Sequence, residues 1–351
     1  MARYRRALVA LLGLVAAALV VTAVVHSAPP TTAAGMGSAA LIPADERQPA
    51  PELTGIQGWL NSQPLTLASL HGSVVLVDFW TFSCVNCVRT FAHLRHLEQT
   101  YARDGLVVIG VHSPEFDFEK EAANVAAAVR RLGVVWPVAL DPQLATWNAF
   151  GNQYWPAEYL IDRSGRIAYI HDGEGDYDTT ESAIASLLSV RAHPLPAGTT
   201  PDSAGETPEL YAGSDRGQLA GGEQYGPQGN ATWHPDPGKP QQQDAIQVVG
   251  SWADLGQYLE SRGPGHVRLD FSAHDLYLVV GAGSGYSTVT LSVTLDGAAV
   301  PAAMRGADLG AGGVSVSSQR LYHVLTGLGG GRHLIDIAVP AGLQLYTFTF
   351  G

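Results

Sequence analysis

"FWTFSCVNCVRT", residues 79–90, holds the only two cysteines of a 351-residue chain, Cys84 and Cys87. The apolar run "SVVLVDF" (Ser73–Phe79) leads into it, and Val88, Phe91, Leu94, Leu97 and Tyr101 follow at helical spacing. The pattern predicts a strand, a short turn at Thr81-Phe82-Ser83 and a helix that starts at the cysteines. The first sulfur then lies at a helix N-terminus, where unpaired N–H groups and the helix dipole favour negative charge and lower a thiol pKa. The second lies within reach and can close a small disulfide ring. A purely structural bridge across two residues would close almost no loop and stabilise little. A zinc site wants four ligands, or three and a water. His93 and His96, spaced i, i+3, supply no paired-histidine motif beside the cysteines. The expectation is redox chemistry at Cys84 and Cys87, with no metal and no cofactor.

Working outward, "LVVIGVH" (Leu106–His112) reads as a second buried strand, and the first helix ends near Asp104-Gly105. Further helices are expected over Glu119–Leu132, closed by Gly133, and within Gln143–Phe150, closed by Gly151. "EYLID" and "RIAYIH" flank the turn "DRSG" as a hairpin, and "DTTE" (Asp178–Glu181) has capping-box spacing before a last helix. Residues 48–190 therefore read as a three-layer α/β domain.

Two residues stand out inside it. Asp78 lies in an apolar strand six positions before Cys84. Burial there is costly unless the acid is paired or neutral, so its pKa should rise, and near the sulfurs it could take and return the proton of Cys87. A strand-end Asp bonded to backbone is the alternative. Pro156 directly precedes the Glu158 strand and cannot join a central ladder. A cis Trp155–Pro156 bond would turn the Trp155 backbone toward an extended substrate; an ordinary trans turn fits the spacing equally well.

Arg3, Arg5 and Arg6 precede an uncharged apolar run from Ala7 to Val25. At helical rise it spans about 28 Å, close to a bilayer core and longer than a usual signal-peptide core. Residues 1–28 are therefore expected to be a signal peptide or a membrane anchor, with the arginines cytoplasmic and the rest exported. Residues 29–47 read as a flexible tether, and 191–245, rich in Pro, Gly and Gln, as linker and irregular segment. Residues 246–351 alternate in short runs. "TVTLSVTLDG" ends in an Asp-Gly turn, and "LQLYTFTFG" sets Tyr346, Phe348 and Phe350 on one face, which predicts an antiparallel sandwich. Formal charge is −12, from 20 Lys+Arg against 32 Asp+Glu. No basic face for nucleic acid is implied.

With "VDFWTFSCVNC", the insertion after "VIGVHSPEF", "WPAEYLID" and "GEGDY" in place, the chain resembles the TlpA/ResA-like thioredoxin family. Within it, the chain is similar to the soluble C-terminal part of DipZ-type proteins. "TPELYAG", the surroundings of Trp252 and the ending "YTFTFG" extend the likeness over a C-terminal β-domain. The resemblance implies a thioredoxin fold followed by a jelly-roll-like sandwich, and exported thiol–disulfide exchange with disulfide-containing proteins. It makes Cys84 the attacking thiol, Cys87 the resolving thiol, Asp78 the buried acid and Pro156 the cis-proline, with Trp155 beside it in the substrate groove. One N-terminal apolar segment, where DipZ-type proteins carry a multi-span electron-transfer domain, implies a separate membrane donor of the CcdA type. Glu158 stands where many thioredoxins carry Thr, so the groove chemistry should differ.

Two other functions are open. Thioredoxin-fold peroxidases use P-x-x-x-T-x-x-C; Thr81 fits the Thr position, but Val77 stands in place of Pro. A glycan- or envelope-binding module would use Trp233, Trp252, Tyr277 and Tyr286 as a stacking platform, which core packing explains as well. His112 and Glu115, after the second strand, could sit near the active face, but as loop residues they are expected to be structural rather than catalytic.

Overall fold

A computed structural model describes residues 41–194, 205–220, 225, 230–234 and 242–351. The expected N-terminal hydrophobic helix (1–28) and most of the tether lie outside the described residues. Among those described, no helix is long and apolar enough to cross a membrane.

The first region runs β1 (Gly58–Leu60), β2 (Val74–Trp80), α1 (Val85–Tyr101), β3 (Leu106–His112), α2 (Ala122–Leu132), β4 (Val138–Leu140), α3 (Ala145–Ala149), β5 (Ala157–Ile161), β6 (Ile167–Asp172) and α4 (Tyr177–Leu188). Its sheet has the order β1-β4-β3-β2-β5-β6, with β2, β3 and β4 parallel and β5 antiparallel to both of its neighbours. Every residue of β2 is buried, because helices cover both faces. Val74, Leu76 and Trp80 share a core with Leu94 and Leu97 of α1, Val129 of α2 and Ile184 of α4. Val75, Val77 and Phe79 pack on the other side with Trp147 of α3 and Phe150. This is the expected thioredoxin-like three-layer domain.

Two helix starts differ from expectation. Asp117–Lys120 form a 3₁₀ turn, so α2 begins at Ala122 rather than Glu119. The capping box at Asp178–Glu181 does not form. Asp176 occupies the N-cap, and Glu181 instead accepts the Tyr101 hydroxyl and the His193 N–H.

The second region comprises β7 (Leu210–Tyr211), β8 (Asn230–Trp233), β9 (Gln247–Asp254), β10 (Leu259–Ser261), β11 (Gly265–Ser272), β12 (Leu276–Ala282), β13 (Val289–Leu295), β14 (Ala298–Ala299), β15 (Leu309–Gly310), β16 (Gly313–Val316), β17 (Arg320–Leu325), β18 (Arg332–Val339) and β19 (Leu343–Phe350). Their antiparallel path is β15-β16-β13-β18-β11-β9-β10-β19-β12-β17. It turns at β9. Gln247–Val249 pair with β11, Trp252–Asp254 pair with β10, and between them Gly250 takes φ 101°. Both arms close on one core, Leu269, Leu291 and Ile337 from one and Leu278, Val324 and Phe348 from the other, as an antiparallel sandwich requires.

The segment read as linker contains β7, paired with β19, and β8, paired with β9. Strands of two and four residues are too short to show a period. The face expected for β19 also needs correction. Val279 faces Thr347 while Val280 faces Leu345, so Tyr346 is the extra residue of a β-bulge. The bulge removes Tyr346 from the sandwich core that holds Phe348 and Phe350. Its ring packs against Phe116 and Phe118 of the first region, at centroid distances of 5.1 and 4.9 Å. The described residues form one compact unit.

Candidate active site

Cys84 is the N-cap of α1, with extended backbone (φ −78°, ψ 114°), and its Sγ accepts the Cys87 N–H at 3.2 Å. Both thiols are free. Cys84 is half-buried and Cys87 is 1% exposed. Burial above all, then the neighbouring Cys84, pushes the Cys87 thiol well up, and the charge of Asp78 adds to the rise.

The turn before Cys84 is fixed by a residue that the sequence does not advertise. Glu119, 1% exposed, accepts the Ser83 hydroxyl at 2.6 Å and the Ser83 N–H at 3.2 Å on Oε1. Its Oε2 accepts the N–H groups of Glu115 at 2.7 Å and Phe116 at 3.0 Å. One carboxyl thus ties the cysteine turn to the loop after β3.

Asp78 is buried in β2, and neither of its oxygens has a partner among the described residues, so the backbone-bonded alternative is not what the structure holds. Burial first, then the charge of Glu158, pushes its carboxyl well above the usual range. Glu158 is not in the groove, contrary to the expectation from the cis-proline position. It pairs directly with Asp78 across β2 and β5 and is 1% exposed. Its Oε2 accepts the Thr180 hydroxyl at 3.1 Å, and burial pushes its carboxyl up to about 7.

The Trp155–Pro156 peptide is cis. The Trp155 indole N–H donates to Ser113 O at 2.9 Å, and its ring lies 4.1 Å from that of Trp147. Cys84 and Trp155 line a cleft of about 240 Å³ whose far wall comes from the second region, through Glu209, Tyr211 and Arg216. Glu115 joins the two walls. Its Oε1 accepts the Tyr211 hydroxyl and an Arg216 N–H, each at 2.7 Å, and the Arg216 guanidinium lies 3.8 Å from the Tyr211 ring centre. Burial, then the charge of Glu115, pushes Glu209 up to about 8, and its Oε2 lies within reach of the Tyr211 hydroxyl, which can donate to it at 3.0 Å. Glu115, expected to be structural, is thus a cleft residue. Glu209, Tyr211 and Arg216 were missed because they lie in the stretch whose composition reads as linker.

Other expectations resolve as follows. His112 is buried against Phe82 and Trp80, and burial lowers it to about 3. The Thr81 hydroxyl, which a peroxidase would need beside Cys84, is fully buried and 3.4 Å from His112 Nε2. His93 is buried and stacked on Tyr177. Trp233 and Trp252 are buried in the sandwich core, Tyr277 stacks on His323, and of the four proposed platform rings only Tyr286 is exposed. The coplanar aromatic platform that glycan binding would need is therefore not formed.

A free thiol pair at the first turn of a helix, behind a central buried strand and beside a cis-proline, defines the class: thioredoxin-fold thiol–disulfide oxidoreductases. Both regions of the chain are similar to thioredoxin-like proteins. The Redoxin family matches residues 45–188, and a family described as "Thioredoxin like C-terminal domain" matches residues 207–351. Protein DipZ of Mycobacterium bovis and of Mycobacterium tuberculosis is 39% identical over 314 residues, covering 86% of this chain and 43% of those proteins. The chain thus spans less than half the length of these relatives. Thiol-disulfide oxidoreductase YkuV of Bacillus subtilis is 27% identical over 143 residues, covering 41% of this chain and 96% of YkuV.

Proposed function

We propose that this chain is an extracytoplasmic, membrane-tethered thiol–disulfide reductase that exchanges disulfides with exported proteins through Cys84 and Cys87. The observation that carries the reading is the unequal placement of the two sulfurs. Cys84 opens to the cleft at a helix N-cap, and Cys87 lies buried beneath it with its N–H on Cys84 Sγ. A client disulfide meets Cys84 first.

Cys84 Sγ attacks one client sulfur; a Cys84–client bond forms, the client disulfide breaks, and one client thiol leaves. Cys87 then gives its proton to Asp78 and attacks Cys84 Sγ. The Cys84–Cys87 disulfide forms and the second client thiol leaves, so the client is reduced as the enzyme pair is oxidised. The backbone at Trp155–Pro156 is the surface for an extended client segment. A membrane dithiol donor of the CcdA type restores the reduced pair, and the apolar run 7–25 supports tethering beside it.

Cys87→Ser should trap a mixed disulfide between Cys84 and a client protein, and Cys84→Ser should trap none. A couple potential near about −270 mV supports the reductase direction, and one near about −120 mV would make the protein an oxidant. Retention of disulfide exchange in Cys84→Ser would overturn the reading altogether.

A further inference from the structure

Beneath the two sulfurs, three titratable side chains stand in register across three adjacent strands. Asp78 on β2 pairs with Glu158 on β5, and Glu158 pairs with His171 on β6. Directly opposed residues of antiparallel strands project from the same face with Cβ atoms about 5 Å apart. The three therefore form a row on the face covered by α1 and α4. Both Asp78 oxygens, Glu158 Oε1 and His171 Nε2 are buried, and none has a hydrogen-bond partner among the described residues.

Leaving a buried polar group unpartnered is costly to the fold, so four such atoms in one row mark a working site. The row has direction. At one end the charge of Asp78 acts on Cys87; at the other, His171 is only half-buried, on the edge strand of the sheet. The other titratable groups facing it are Tyr169 from β6, Tyr177 from α4 and His93 from α1. Thr180 of α4 holds one Glu158 oxygen and leaves the other free toward the row.

We propose that Asp78 and Glu158 have one proton for their two carboxyls, and that Glu158 and His171 are positioning residues that carry the resolving thiol's proton from Asp78 to the sheet edge when side-chain rotation brings these unpartnered atoms to hydrogen-bond distance. The proposal rests on the exchange reaction at Cys84 and Cys87. Two adjacent buried carboxyls do not both ionise. The charge of Glu158 favours the proton on Asp78; in the pair's minor arrangement, with the proton on Glu158, Asp78 is the anion that accepts the Cys87 proton. Glu158 passes its own proton to His171 Nε2, and His171 releases one to solvent. Meanwhile the Cys87–Cys84 bond forms, the Cys84–client bond breaks, and the departing client thiolate takes a proton from water. Only protons move along the row; the electron pairs stay on sulfur.

The test is the single-turnover rate of mixed-disulfide resolution against pH, in the full chain charged at Cys84 with a client peptide. Wild type, Glu158→Gln and His171→Gln are compared, with capture by Cys84 measured separately as an internal reference. His171→Gln should slow resolution about tenfold, with recovery on adding imidazole, which replaces the lost proton acceptor. Glu158→Gln should move the acid limb of the profile to lower pH by about one unit, because Asp78 then ionises without a competing carboxyl. Profiles superimposable on wild type in both variants, with no imidazole effect, overturn the relay while leaving the exchange reaction standing. Failure of the wild type to form any mixed disulfide overturns both.

Discussion

The Tyr211 hydroxyl, on the first strand of the β-region, donates to Glu115 Oε1 of the α/β region at 2.7 Å, and both residues line the cleft that holds Cys84. The wall opposite the reactive sulfur is therefore built by the second region, and the bond that docks the two regions also shapes the site.

Tyr211→Phe keeps the ring under the Arg216 guanidinium and removes only the donor. The expected loss is about 1 kcal/mol of stability. A double-mutant cycle with Glu115→Gln should return a coupling of similar size, since the two side chains touch. Because the hydroxyl faces the cleft, KM for a protein disulfide should rise while that for a small aromatic disulfide reagent stays near wild type. Equal effects on both substrates would place the role of Tyr211 in stability alone.

Glu119→Ala withdraws the acceptor from the Ser83 hydroxyl and from the N–H groups of Ser83, Glu115 and Phe116. Several buried donors lose their partner at once, and a cost of about 3 kcal/mol is expected. Glu119→Gln keeps an acceptor oxygen and should recover part of it. Urea midpoints give the stability, and the alkylation rate of Cys84 in the reduced protein reports on the turn; it should change in Glu119→Ala and recover in Glu119→Gln.

The catalytic end of this fold is legible because its signals are local. An apolar run, a turn and helical spacing from Val88 fix β2, α1 and the place of Cys84 between them, and Asp78 stands out as an acid in an otherwise apolar strand. Glu158 gives no such signal. In "AEYLI" a glutamate reads equally well as an outward residue of a half-covered strand, and only the packing of α4 over β5 makes it a buried neighbour of Asp78. Glu209, Tyr211 and Arg216 are hidden for another reason. Their strand has two residues, too few to show a period, within a segment whose Pro and Gly content suggests a tether. Tyr346 is misplaced by the alternation rule because a period of two holds only where no residue bulges out.

The bulge at Tyr346 makes a packing prediction. Its ring is 2% exposed, between Phe116 and Phe118 on one side and Tyr258 on another, and its hydroxyl accepts a Gln319 N–H at 3.1 Å. Tyr346→Ala should cost about 3–5 kcal/mol through lost contacts and a cavity at the junction. Tyr346→Phe, which loses only the hydrogen bond, should cost about 1 kcal/mol. Calorimetry should show one unfolding transition in wild type and in Tyr346→Phe, and two in Tyr346→Ala, as the regions cease to unfold together. A single transition in Tyr346→Ala would show that other contacts suffice to couple them.

Stability should also vary with pH in a way that singles out Glu158. Its carboxyl rises from 4.5 to about 7 on burial, so the fold favours the protonated form. That contribution is complete below about pH 4.5 and is lost as pH rises through about 7. Asp78, shifted in the same direction, adds to the loss. His93 and His112 act on the other side. Burial lowers each from 6.5 to about 3, so their contribution is complete above pH 6.5 and is lost as pH falls toward 3. Glu209, raised to about 8, acts with Glu158 and Asp78, so the histidines offset only part of the carboxyl loss between about pH 4.5 and 6.5, and stability declines more steeply above pH 6.5, where the histidines no longer oppose it. In Glu158→Gln the alkaline decline should flatten, and the variant should be more stable than wild type at pH 8 by on the order of 3 kcal/mol. Urea midpoints at pH 5, 6, 7 and 8 check this. A variant no more stable than wild type at pH 8 would mean that Glu158 ionises in the fold without penalty, and that its place beside Asp78 carries no electrostatic cost.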